Sequence, residues 1–148
     1  MGFFRAIDSG ASALSAQRLR MDTISQNIAN ANTTRTENGT PYRRKVVLFE
    51  ERNSQAPFSK YLKDAEGGRD SAGDGVRVSQ IVEDTSAFKK VYEPGNPDAD
   101  AEGYMELPNV DVVTEMVNMI SATRAYEANV TAVNATKGMA MKALDIGR

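Results

Sequence analysis

Apolar residues at Ile7, Leu14, Met21 and Ile28 recur every seven positions, the repeat expected when one helical face packs along a seam. Ala11, Arg18 and Ser25 alternate with them at spacings of four and three, so the seam has one clean row and one poor row. The pattern predicts a helix over about Arg5 to Asn32, a rod ~42 Å long at 1.5 Å per residue. At the other end, Val112, Met116, Met119, Thr123, Tyr126, Val130, Val133, Lys137, Ala140 and Leu144 step by four and three throughout. A second helix is expected over about Val110 to Ile146, ~55 Å long. Asn109, after Pro108, is the expected N-cap, with Asp111 in the first turn. Gly147 is the expected stop.

Gly10 and Gly138 interrupt these patterns. Each costs about 1 kcal/mol relative to Ala inside a helix. They are either tolerated defects or places where a neighbouring helix comes close. Ala122, Ala125, Ala128, Ala132 and Ala135 stud the second helix, and small side chains permit the same close approach.

Between the helices the period changes from helical to two. Lys45 to Phe49 is a strand signal, and Val76, Val78 and Val82 alternate with Arg77, Ser79 and Glu83 in a better one. Phe88 to Tyr92 is placed to pair with that second strand after the turn Asp84-Thr85-Ser86. Lys63 to Gly75, rich in Gly, Asp and Ser, reads as a loop. The chain is thus mainly α with a small β region. It divides into an N-terminal helix with an asparagine-rich end (1–37), a middle segment of short strands and loops (38–107), and a C-terminal helix (108–148).

Composition narrows the chemistry. Of 148 residues, 41% are hydrophobic and 26% charged, which is globular rather than disordered. A net charge of −2 argues against a nucleic-acid binder, which would carry a basic excess. The triplet Arg43-Arg44-Lys45 reads as a solvated strand edge. There is no cysteine and no histidine. Thiol nucleophiles, thiolate metal sites and the commonest general base are therefore missing. No nucleophile–base pair can be assembled without them; a carboxylate pair is possible in principle, but nothing in the spacing singles one out, and no catalytic residue, cofactor, metal or small-molecule substrate is expected. No apolar run reaches the length of a membrane span, and the N-terminus lacks the apolar core of a secretory signal. Asp98, Asp100, Glu102 and Gly103 fall at positions 1, 3, 5 and 6 of a calcium loop, but Asn109 stands where the bidentate Glu belongs. A solvated acidic turn is the simpler reading.

The asparagines at the end of the first helix call for an explanation. Asn is a poor interior residue and a good cap. Asn32 fits simple capping. Asn27 and Asn30 lie beside Ile24 and Ile28, where a buried amide could fix register because leaving it unpaired is costly. The two helices also order many more residues than they offer each other as apolar seam, and long isolated helices are marginal in water. Neighbouring copies or partners are expected to complete their burial.

The stretch "SQNIANANTTR", Ser25 to Arg35, resembles the N-terminal signature of the bacterial flagellar axial proteins, the rod, hook and hook-junction group. "MVNMISATRAYEANVTAVNATKGMAMKALDIG", Met116 to Gly147, resembles their C-terminal helix. The middle stretches "GTPYRRKVVLFE" and "GVRVSQIVEDTSAFKKVYEPGNPDADAEGYMELPNVDVV", with the short overall length, resemble the proximal rod branch. The group's commoner Asn-Thr-x-Gly-Tyr is interrupted here, since an insertion through Pro41 separates Asn32-Thr33 from Tyr42. The resemblance implies terminal helices paired as a coiled-coil-like core domain and a small outer region. It implies a structural subunit of the basal-body rod, exported without a cleavable signal by the flagellar type III apparatus. Such a subunit assembles in the periplasm with copies of itself, other rod proteins and the inner-membrane ring or export-gate base. Carried onto this chain, its assembly positions are Asn27, Asn30 and Asn32, then Met116, Met119, Tyr126, Asn129 and Val133. The seam residues Ile7, Leu14, Met21, Ile28 and Val130 join them as packing positions. The alternative is a soluble, dimeric coiled-coil adaptor, which explains the heptads but not the asparagine-rich helix end.

Overall fold

The computed structural model describes residues 2–52 and 75–147; the Gly/Asp/Ser-rich stretch expected to form a loop lies, but for Gly75, outside them. Two long helices bracket four short strands. Helix α1 spans Gly2–Ala29, and strands β1 (Lys45–Glu51), β2 (Val76–Glu83), β3 (Lys89–Tyr92) and β4 (Tyr104–Leu107) follow, then helix α2, Val112–Ile146. At 1.5 Å per residue the helices are rods of ~42 and ~52 Å. The chain is mainly helical with a small β part, as its periodicity predicts.

Helix α1 ends three residues earlier than expected. Past Ala29 the backbone tightens, with the Ala31 N–H on the Ile28 carbonyl and the Thr33 N–H on the Asn30 carbonyl. Helix α2 starts two residues later than expected. Its N-cap is Asp111, not Asn109, and the Asp111 carboxylate accepts the Thr114 hydroxyl. That bond is the main cause that lowers the Asp111 pKa.

The strand pairing also differs from expectation. β2 pairs antiparallel with β1, from Lys45↔Glu83 to Glu51↔Val76, with an irregularity at Leu48/Phe49. β3 pairs instead with β4, in register Lys89↔Leu107 to Tyr92↔Tyr104. The turn Asp84-Thr85-Ser86 therefore links two hairpins rather than closing one. Asp84 Oδ1 accepts the Ser86 N–H, and this local bond turns the chain away from β2.

Helix α1 is the middle element. It packs against α2 and, separately, against β1 and β2. Being flanked by two elements decides which of its residues are deepest. They are Ala16, Thr23, Ile24 and Asn27, mostly small or polar, because close approach needs little side chain and polar edges need partners. The apolar row Ile7, Leu14, Met21 and Ile28 is half-buried, and the alternate row Ala11, Arg18 and Ser25 is exposed.

On α2 the row Met119, Tyr126, Val133 and Ala140 is half-buried, as its spacing suggests. The second expected row is displaced by one residue. Glu115 and Ala122 are the buried positions, at 1% and 0% exposure, while Met116 and Leu144 are exposed. Gly10 explains how close the helices come, since a Cβ there would sit 2.6 Å from Val133 Cγ2. Gly138 has no such neighbour among the described residues.

Candidate assembly site: a buried polar clamp beside an exposed apolar face

One end of the helix pair is closed by a polar network centred on Asn27. Its side-chain amide donates to the Lys45 carbonyl at 2.8 Å and to Glu115 Oε2 at 2.9 Å. Its oxygen accepts the Lys45 N–H at 2.9 Å and the Tyr42 hydroxyl at 3.0 Å. An Asn side chain offers two donors and two acceptor sites, so every one is used. The residue is 1% exposed, which makes full use necessary, because each missing partner would leave a buried polar group unpaired.

Glu115 enters from the first turn of α2. Its Oε1 accepts from Arg44 Nε at 3.0 Å and Arg44 Nη2 at 2.8 Å, and from Asn118 at 3.2 Å. Arg44 Nη1 reaches Asp84 Oδ2 at 3.4 Å. Burial tends to lower the Arg44 pKa, but its hydrogen bond to Glu115 and the charges of Glu115 and Asp84 outweigh this, and the net direction is upward. Burial raises the Tyr42 pKa, helped by the charges of Glu83 and Glu115. Asp84 is held below the usual carboxylate value, first by the Ser86 backbone amide and then by further bonds to Ser86 and Arg44.

Asn109, expected to cap α2, does other work. Its oxygen accepts the Arg44 N–H at 2.8 Å, and its amide donates to the Asp84 carbonyl at 3.0 Å and to Ser86 Oγ at 2.9 Å. Lys89 Nζ donates to the Val110 carbonyl at 3.0 Å. The network thus joins the end of α1, the start of β1, the β2–β3 turn and the start of α2.

The basic triplet is therefore not a solvated edge. Arg44 is the central cation of the clamp. Arg43 stacks over the Phe88 ring at 4.3 Å and donates to the Asp84 carbonyl, and Lys45 supplies backbone groups to Asn27. Sequence reasoning also missed Glu115. The available signal was a lone carboxylate in the apolar run "VVTEMVNM", 112–119, with a short basic cluster elsewhere to neutralise it.

The other asparagines behave differently. Asn30 donates to the Gln26 carbonyl at 2.9 Å and accepts the Thr33 hydroxyl, a local bond that ends the helix. Asn32 is exposed. Asn129 is half-buried and donates back to the Ala125 carbonyl four residues earlier. Met21 accepts the Thr123 hydroxyl across the helix pair at 3.6 Å. With Met119 and Tyr126, Met21 lines a shallow groove between α1 and α2.

Outside the clamp, α2 presents apolar side chains to solvent. Val113, Val117 and Ile120 are 64%, 61% and 55% exposed, and Val112 and Met116 adjoin them. Beyond a stretch whose exposed positions include Arg124, Glu127 and Lys137, Met139, Met141, Leu144 and Ile146 are exposed again near the end of the helix. Val112, Val113, Met116, Val117 and Ile120 share one side of the helix's first turns, and a contiguous apolar surface marks an interaction site.

The acidic loop turns its carboxylates to the chain itself. Asp100 Oδ1 accepts the Glu102 and Tyr104 N–H groups, and Asp98 accepts the Thr34 hydroxyl and faces Arg35. Among the described residues no group of three or more acidic side chains is placed to hold a metal ion. Nor is any helix there long and apolar enough to cross a membrane.

Comparison with known proteins follows this architecture. The family described as "Flagella basal body rod protein" matches residues 7–35, which include the seam of α1 and its asparagines. "Flagellar basal body rod FlgEFG protein C-terminal" matches residues 101–146, hence β4 and α2. The chain is 53% identical to the flagellar basal-body rod protein FlgC of Bacillus subtilis, with 100% of both chains covered. It is 47% identical to FlgC of Borreliella burgdorferi over 99% of this chain and 98% of that one. With FlgC of Salmonella typhimurium it shares 42% identity over 100% of both. These relatives are rod proteins, and the adaptor reading is not carried further. Full-length similarity at this level, over two helices and the strands between them, places the chain in the FlgC family of flagellar basal-body rod proteins.

Proposed function

We propose that the chain is a structural, non-catalytic subunit of the flagellar basal-body rod, and that its work is to carry torque through contacts between subunits. Membership of the rod family supports this. The observation that carries it is the apolar face of α2, where Val113, Val117 and Ile120 stand in solvent on the helix that also buries Glu115 and Ala122. One face is used within the subunit and another is left for neighbours. Load is then shared over many packed side chains, and no reactive cleft is needed.

In this reading Met116 faces a neighbouring subunit, and Ile7, Leu14, Met21, Ile28, Met119, Tyr126, Asn129, Val130 and Val133 serve the helix seam and its edges. Asn27 sets register inside the subunit, Asn30 ends the helix, and Asn32 stands exposed on the surface for a neighbour. The partners are other copies and other rod proteins. The inner-membrane ring or export-gate base anchors the assembly, and the type III export apparatus handles the chain in transit.

Val117→Asp and Ile120→Asp test the proposal. Both sites are exposed in the single chain, so each variant should keep its stability within about 0.5 kcal/mol. Each should nevertheless abolish swimming in cells that still express and export the protein. Normal swimming by both variants would contradict the assignment of this face to subunit contact.

A further inference from the structure

We infer that the β1–β2 hairpin is mounted on α1 at two separated points, and that this double attachment fixes its angle to the helix pair. The near point is Asn27, which holds both backbone groups of Lys45. The far point is Ser12, whose hydroxyl accepts the Val76 N–H at 3.1 Å while donating to the Ser9 carbonyl at 2.7 Å. Gly75 lets the strand come this close. It has φ +108°, and a Cβ there would lie 2.3 Å from Ser12 Oγ and 3.2 Å from Ser9 Cα. Arg52, across the ladder end, adds an ion pair to Asp8 at 3.3 Å and donates its N–H to the Gly75 carbonyl at 2.8 Å.

The spans agree. From Ser12 to Asn27 along α1 is about 22 Å at 1.5 Å per residue. From Lys45 to Arg52 along β1 is about 23 Å at the usual strand rise. One attachment would leave the hairpin's angle to be set only by its packing on α1, whereas two attachments a strand length apart pin it. The near point is braced further by Arg44 on Glu115 of α2, while among the described elements β1 and β2 otherwise pack on α1 alone. Ser12 and Asn27 are on this account positioning residues, and they act on the hairpin's orientation rather than on the existence of the helices.

The absence of cysteine permits a direct test by paired spin labels on the purified full chain. Labels at Arg77→Cys in β2 and Glu127→Cys in α2, both exposed, give a distance distribution by pulsed electron resonance. The mount predicts a single narrow peak without further substitution. Ser12→Ala and Asn27→Ala should each broaden it roughly twofold as a second orientation becomes populated, with helix content by circular dichroism unchanged. If Asn27→Ala does not fold, Ser12→Ala decides alone, a broadened peak supporting the mount and an unchanged one overturning it. A broad distribution in the unsubstituted pair, or unchanged width in both variants, would likewise overturn it. None of these results depends on whether the chain works in a rod.

Discussion

Asn27→Ala is the perturbation whose cost follows most directly from the structure. The side chain makes four hydrogen bonds, to the Lys45 carbonyl and N–H, the Tyr42 hydroxyl and the Glu115 carboxylate. A neutral bond contributes about 0.5–1.5 kcal/mol net, and one to a charged group about 1.5–3 kcal/mol. Three of the first kind and one of the second sum to about 3–7.5 kcal/mol. Water entering the vacated space would recover part of this, so about 3–4 kcal/mol is the expected loss. Set against a typical total of about 5–15 kcal/mol, that is severe for a single truncation. Urea unfolding followed by helix ellipticity would read it. With a slope of about 1.5–2 kcal/mol per molar, the midpoint should fall by roughly 2 M. Asn30→Ala removes only local bonds and should cost under about 1 kcal/mol. Asn27 and Glu115 touch, so adding Glu115→Gln to Asn27→Ala should cost less than the sum of the singles, with a coupling of about 0.5–3 kcal/mol. A loss under about 1 kcal/mol for Asn27→Ala, or strict additivity of the pair, would refute the reasoning.

The helix glycines should separate in sign. Gly10→Ala drives a methyl into Val133, and overpacking of about 1–3 kcal/mol should exceed the helix-propensity gain of about 1 kcal/mol. Gly138→Ala meets open space and should stabilise the free chain by about 0.5–1 kcal/mol; the same urea titration would expose a common sign as an error. Stability should also bend at both ends of the pH scale. The folded pKa values of Asp84 and Asp111 lie below the ordinary 3.8, so their contribution is present above that pH and is lost as pH falls through the folded values. Tyr42 lies above the ordinary 10.0, so stability declines as pH rises past 10. Unfolding midpoints across the pH range would check both limbs, and Asp84→Asn should flatten the acid one.

Much of the fold was legible because helical and strand periods are local properties. The apolar steps of α2 and the alternation of Val76, Val78 and Val82 each named an element from a few neighbouring residues. Depth within an element was harder to read. Ala16, Thr23, Ile24 and Asn27 are the buried positions of α1 because α2 and the hairpin approach from different sides. A seven-residue apolar count assumes a single seam and cannot register the second neighbour. The shift on α2 from Met116 to Glu115 has a related cause. Apolar side chains there include those facing away from the subunit, while the inward place is taken by a carboxylate whose partners lie 71 and 88 positions distant in sequence. β3 paired with β4 rather than β2, with the chain turning at the Asp84–Ser86 bond, a partner choice that strand propensity alone does not encode. The role of Asn109 was misread for a similar reason, since an amide two residues before a helix suits a cap as well as a tertiary brace.

The central claim is that the clamp end is held within the single chain, while the apolar face and distal part of α2 finish their burial in the assembly. Amide hydrogen exchange along α2, compared between the free chain and the isolated rod, tests it most directly. The account predicts protection around Glu115 to Ala122 in the free chain, weak protection from about Ala135 onward, and strong protection throughout in the rod. Uniform strong protection of α2 in the free chain, with nothing gained on assembly, would contradict it.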